Sequence, residues 1–179
     1  MKNTNSGFTL LELMMVVAIG GILLLVGIPS FKSMITTNEV TSITNDLTMS
    51  LKLARSSAIT SGHTASVCSS DDGATCKEQA NAWGKGWLVW VDLNDNTTFE
   101  AAELLWVKEI DPKSTKTVTP SANFSTQIDF KYDGTLLQAV VGTFQVCSGE
   151  GAVNGYPQRL ISLTVSGEPQ FTKVTTTKC

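Results

Sequence analysis

Residues 8–28 read FTLLELMMVVAIGGILLLVGI, a run that one charge, Glu12, interrupts. About 20 apolar residues suffice to cross the hydrocarbon core of a bilayer, so the run predicts a helix that is apolar on every side. A secretory signal is the competing reading and fits poorly. The run is too long for an h-region, no A-x-A-type site follows it, and Lys2 is the only cation ahead of it. Flanking charge does little to orient the segment, because Lys2 is balanced by Lys32. The bulk composition agrees with a membrane segment. The 179 residues are 42% hydrophobic and only 16% charged, with a net charge of −3. That balance marks no overall nucleic-acid binder.

Helical periodicity continues past the apolar run. Val40, Ile43, Leu47, Leu51, Ala54 and Ala58 recur at spacings of three and four and draw one apolar stripe. Asn38, Glu39, Asn45, Asp46, Lys52 and Arg55 fill much of the remaining surface, and Gly62 offers a C-terminal stop. A helix over 8–61 would span roughly 80 Å at ~1.5 Å per residue. Its first half suits a membrane and its second half suits docking on a globular domain. Pro29 lies inside it, removes one backbone donor and crowds the carbonyl of Leu25, so a kink is expected. Gly20, Gly21 and Gly27 weaken the same stretch by about 1 kcal/mol each relative to alanine.

After Gly62 the period changes to alternation. Strands are predicted at 64–69, 86–92, 104–110, 126–132, 143–147, 159–166 and 170–175, with turns at Asp133-Gly134 and Gly167-Glu168-Pro169. The fold class expected is α+β: a long N-terminal helix packed on a C-terminal antiparallel β domain, sandwich-like or a single draped sheet. Four cysteines with no Cys-x-x-Cys pair, and a single histidine, leave few ligands for zinc and suit an oxidising compartment. Three connectivities are open. The favoured one is Cys68–Cys76, closing a short Asp-Gly turn, with Cys147–Cys179 pinning the last residue.

The start of the chain, MKNTNSG followed by Phe8-Thr9-Leu10-Leu11-Glu12 and the apolar run, resembles the class III signal of type IV pilins and type II secretion pseudopilins. The resemblance implies cleavage between Gly7 and Phe8 by a prepilin peptidase and N-methylation of Phe8. A carboxylate within a membrane helix costs roughly 2.5–3.5 kcal/mol on insertion scales and usually has a partner. For Glu12 the resemblance implies that this partner is the N-terminal amine of a neighbouring subunit; the plainer alternative is a side chain reaching the headgroups. In similar pilins the segment ending at a proline such as Pro29 can melt on assembly.

A second set of residues resembles the GspH/FimT (FimU-like) family of minor pilins and minor pseudopilins. It comprises Asp46-Leu47, Leu51, Leu53-Ala54-Arg55, Ala58-Ile59, Val67-Cys68, Cys76, Trp83, Gly86-Trp87-Leu88-Val89-Trp90, Asp92-x-Asn94 and Glu103-Leu104-Leu105. With the leader it covers the chain to about Ile110. The resulting organisation is a leader at 1–7, a transmembrane half-helix at 8–30 in contact with lipid, an amphipathic half at 31–62 and a β domain at 63–179. The function implied is a non-catalytic minor pilin that initiates or links pilus assembly, with other minor and major pilins as partners. A minor pseudopilin of a type II secretion system is one alternative, and a FimT-like DNA-binding receptor for natural transformation is the other. The location implied is the bacterial inner membrane, with a single pass and a periplasmic domain, and then the filament. Trp87 and Trp90 cannot share one strand face, so at least one is expected at an edge or surface.

Other chemistry is thinly signalled. Asp92, Asn94, Asn96, Thr98 and Glu103 fall at the offsets of a calcium loop, but the turn position that needs glycine is Thr97, and an Asx-rich hairpin loop is the preferred reading. No nucleophile elbow, Walker loop or His-Glu-x-x-His is present, so no catalytic residues and no cofactor are expected. His63 is read as a solvated group or dipole partner beyond the helix end. Some FimT-like members bind DNA through a Gly-Arg-x-Arg stretch. The corresponding Gly167-Glu168-Pro169-Gln170 lacks both arginines, so DNA is not an expected partner.

Overall fold

The structure, a computed structural model, describes residues 9–77, 79–149 and 158–174. A single helix, α1, runs Leu10–Ser61. Eight strands follow: β1 Ala65–Ser69, β2 Gly86–Val91, β3 Leu104–Glu109, β4 Thr117–Pro120, β5 Gln127–Phe130, β6 Gly142–Cys147, β7 Gln158–Leu163 and β8 Pro169–Val174. They form two antiparallel four-stranded sheets, ordered β3-β2-β1-β5 and β4-β6-β7-β8. The chain is α+β, as its two periodicities predict. It divides into two compact units, Met1–Thr36 and Thr37–Cys179, with the boundary inside α1.

The first unit is helical from Leu10 onward, and its large apolar residues from Leu10 to Ile35 are exposed wherever their side chains are described. An 18-residue window here passes the length and composition test for a membrane-crossing helix, and none of it is buried. The helical backbone runs through Pro29 without interruption.

In the second unit the apolar stripe does what its spacing predicts. Val40, Ile43, Leu47, Leu51, Ala54 and Ala58 are all buried, in one core with Val67, Trp87, Val89, Ile128, Phe130, Phe144 and Ile161 from both sheets. Burying a leucine in this way contributes about 1.5–3 kcal/mol. The helix ends where a left-handed residue is needed. Gly62 has φ +77°, and its N–H returns to the carbonyl of Ala58 at 3.0 Å.

Strand β2 corrects the expectation for the tryptophans. Trp87 enters the main core, while Trp90 points to the opposite face and is buried with Cys68, Leu88 and Phe99. Neither is at an edge or a surface. The reason is that β2 lies between β1 and β3, and the far face of its sheet is roofed by the Cys68–Cys76 loop and the loop carrying Phe99. Trp83, in a short 3-10 turn, packs edge-on against Phe144 at 4.8 Å. Strand β4 has no counterpart among the predicted strands. Its four residues, Thr-Val-Thr-Pro, offer only one buried apolar position, Val118, and a terminal proline that an edge strand tolerates.

Candidate assembly site

The residues implicated in processing and assembly sit at the start of the chain. Gly7 and Phe8 lie outside the described residues. Glu12 is exposed in the first turn of α1, next to exposed Leu11 and Leu13. Thr9 precedes the helix, and its Oγ1 accepts a hydrogen bond from the Glu12 N–H at 3.3 Å. This is one arm of a capping box, which satisfies a helix donor that would otherwise be unpaired in an apolar setting. The Thr-x-x-Glu spacing is the signal that could have revealed it.

The docking seam of the second unit is gripped by polar residues on either side of the stripe. The Trp87 indole Nε1–H donates to Ser50 Oγ at 2.8 Å, and that hydroxyl donates to the Asp46 carbonyl at 2.7 Å. The Asp46 carboxylate pairs with Lys108 at 2.6 Å, and Glu39 pairs at 2.8 Å with Lys116, whose side chain is largely buried. Arg55 donates from Nε to the Gly134 carbonyl and from Nη1 to Glu168 Oε2, at 3.0 and 2.9 Å. Arg159 of β7 reaches Thr41 Oγ1 at 3.3 Å. Ser50, Arg55 and Arg159 meet partners 37 to 118 residues away. No local pattern identifies such pairs, and by periodicity Asp46 and Arg55 read only as polar residues off the apolar stripe.

Cys68 and Cys76 form a disulfide, the first of the two favoured pairs. The second pair includes Cys179, which lies outside the described residues. In the hairpin loop after β2 the oxygens of the suggested cation set are already engaged. Asp92 accepts from the N–H groups of Asn96 and Thr97 at 3.0 and 2.8 Å. Glu103 accepts from those of Leu93 and Glu100 at 2.9 and 3.3 Å. The amides of Asn94 and Asn96 donate to Glu100, and the Thr98 N–H donates to Asn96 Oδ1. Thr97 takes φ +62°, the left-handed turn for which a calcium loop uses glycine; the carboxylate bonds hold a β-branched residue there. Among the described residues, no group of three or more His, Cys, Asp or Glu is placed to hold a metal ion. His63 Nδ1 lies 3.1 Å from Asp95 Oδ1, tying this loop to the end of α1.

Glu168 faces Arg55 at 2.9 Å and Lys52 at 4.0 Å, so it neutralises the nearest cations.

The family described as Type II transport protein GspH matches residues 44–167, which takes in α1 from Thr44 onward and strands β1 to β7. The prokaryotic N-terminal methylation motif matches residues 2–28. No curated protein matches the chain. Two crystal structures of the Pseudomonas aeruginosa type IV minor pilin FimU share its fold at 23% identity. One gives a TM-score of 0.59 over 79% of this chain and 93% of FimU; the other gives 0.57 over 78% and 96%. The methylation motif implies processing by a prepilin peptidase and association with other pilin-type subunits. By the GspH match over more than half its length, with that motif ahead of it, the chain belongs to the GspH family of minor pilins and pseudopilins.

Proposed function

We propose that the chain is a non-catalytic minor pilin of a type IV pilus, which joins other minor and major pilins and starts or links assembly through its N-terminal helix. The observation that carries this is the two-part character of α1. Its first part is apolar and exposed around a single carboxylate, and its second buries one stripe in a domain of its own. In this scheme residues 1–7 are removed between Gly7 and Phe8, Phe8 is methylated, and residues 8–30 cross the inner membrane. The amphipathic part at 31–62 then carries the β domain at 63–179 on the periplasmic side. A charge that is costly in lipid becomes favourable when an opposite charge reaches it in a low-dielectric bundle. Glu12 meets the N-terminal amine of a neighbour, and Pro29 marks the segment that yields on packing. A Cys147–Cys179 bridge completes the disulfide set.

The matching family's description favours a second reading, a minor pseudopilin of a type II secretion system; the likeness in fold to FimU favours the pilus. Disrupting the gene separates them, because loss of surface filaments with secretion intact supports the pilus and the reverse supports the pseudopilus. A DNA receptor is disfavoured by the engaged Glu168, and absence of a low-salt mobility shift would eliminate it. The mechanism is tested with Glu12→Ala and Glu12→Gln. Mass spectrometry should show the same mature N-terminus as the parent, while sheared filaments should lack the variant. Normal incorporation would remove the assigned role of Glu12.

A further inference from the structure

The edge of a β-sheet carries unpaired backbone N–H and C=O groups, and a protein either blunts such an edge or pairs it with another chain. Three of the four edges in this fold are blunted. Strand β3 is bulged where it pairs with Val89 and Trp90. Strand β5 is covered by the chain that follows it, whose Leu137 N–H donates to the Asp129 carbonyl at 2.8 Å and whose Leu136 bridges Phe130. Strand β4 has four residues and ends in Pro120. Strand β8 is six residues long, has no bulge and, among the described residues, pairs only with β7.

The side chains of β8 are as open as its outer backbone. Gln170, Phe171, Thr172 and Lys173 are all exposed. Register fixes which face they occupy. Phe171 is opposite Ile161 of β7, and Lys173 is opposite Arg159. Ile161 belongs to the core shared with α1, and Arg159 reaches Thr41 of α1, so Phe171 and Lys173 lie on the helix-facing side of the sheet. Yet Phe171 is 60% exposed beside a neighbour with no exposure at all. The cover over β7 does not extend to β8. Two like charges, Arg159 and Lys173, are also direct cross-strand neighbours, an arrangement that costs stability unless an anion joins them. Among the described residues neither has a carboxylate partner. Glu168, just ahead of β8, is held by Arg55 at 2.9 Å and Lys52 at 4.0 Å.

We infer that β8 accepts an extended segment of a partner protein as an added antiparallel strand, with a carboxylate opposite Lys173 and an apolar side chain opposite Phe171. The addition continues the antiparallel order β4-β6-β7-β8. Main-chain hydrogen bonds supply the attraction, and the two side chains choose the partner. Lys173 turns away strands that bring a cation, and its pairing with Arg159 favours one that brings an anion. This surface is separate from the N-terminal helix and serves a pilus or a pseudopilus subunit alike.

The test uses the full chain in a nonionic detergent and two fluorescent heptapeptides, Thr-Glu-Thr-Val-Thr-Val-Thr and the same sequence with Lys in place of Glu, read by fluorescence anisotropy. The glutamate peptide should bind saturably, and the lysine peptide about tenfold more weakly. In Lys173→Glu, with its near-UV circular dichroism unchanged, that order should reverse. Methylating alternate amide nitrogens of the glutamate peptide should abolish binding for one set of positions and spare it for the other, because only one set faces β8. Strand addition is refuted by no saturable binding of the glutamate peptide, by an order of affinities that Lys173→Glu leaves unchanged, or by equal binding of the two methylated forms.

Discussion

Ser50→Ala offers the sharpest test of how the helix is held on the first sheet. Ser50 is buried, and its hydroxyl is the acceptor for the indole N–H of Trp87, a side chain with no exposure. Removing the hydroxyl leaves a buried donor unpaired, at a cost of about 1–3 kcal/mol. Alanine recovers roughly 0.5 kcal/mol through its better helix propensity. The net expected loss is about 1.5 kcal/mol, near the middle of that range. For a domain of this size it should lower the melting temperature by about 3–6 °C. Trp87→Phe removes the donor and leaves a small void, costing about 1–3 kcal/mol by itself. In the Trp87→Phe background no donor is orphaned, so Ser50→Ala should be neutral within about 0.5 kcal/mol. A double-mutant cycle in guanidinium, followed by near-UV circular dichroism with the disulfide intact, should give a coupling of about 1–2 kcal/mol. If Ser50→Ala costs the same in both backgrounds, the hydrogen bond does not anchor the helix and the reasoning is refuted.

Two further expectations rest on backbone and turn chemistry. Gly86 has φ +151°, and a Cβ there would lie 2.2 Å from the Lys108 carbonyl oxygen, so Gly86→Ala should cost about 2–4 kcal/mol in denaturant unfolding. Gly62→Ala shares a positive φ but meets nothing within 4 Å and should cost only about 1 kcal/mol; equal losses would contradict the steric account. The turn carboxylates make a pH prediction. Asp72 is held well below the usual carboxylate range by the Thr75 hydroxyl and then by the Ala74 and Thr75 N–H groups. Asp133 is lowered by the Thr135 hydroxyl and then by the Thr135 N–H. Both therefore contribute stability that is complete above the unfolded value of about 3.9 and is lost as pH falls through the lower folded value. Replacing both by Asn should flatten the fall of stability with acid below about pH 4; an unchanged acid limb would count against these turns.

Much of the architecture was legible because it rests on periodicity. The stripe from Val40 to Ala58 is buried at every position its spacing selects, and Gly62 ends the helix where a left-handed residue was expected. Seven strands announced themselves by alternation and turn residues. The eighth, β4, did not, because Thr117, Thr119 and Pro120 give an edge strand no apolar rhythm. Of the candidate assembly site, Glu12 stood out as a lone charge in an apolar run, while the hydrogen bond that its N–H donates to Thr9 emerged only with the helix start in view.

What the order of residues determines by itself is which faces are apolar and where the chain must turn, since periods of 3.6 and 2 and the φ preferences of glycine are local properties. Which distant groups meet was decided by tertiary structure alone. Ser50 receives Trp87 across 37 positions, Arg55 grips Glu168 across 113, and Trp90, Ser66 and Asp129 share one face only because β2, β1 and β5 pair in one register. A strand's pattern states that two faces exist but not what covers them. Trp90 is buried because a disulfide loop and Phe99 lie over it, and that cover comes from segments whose own sequence carries no sign of their destination.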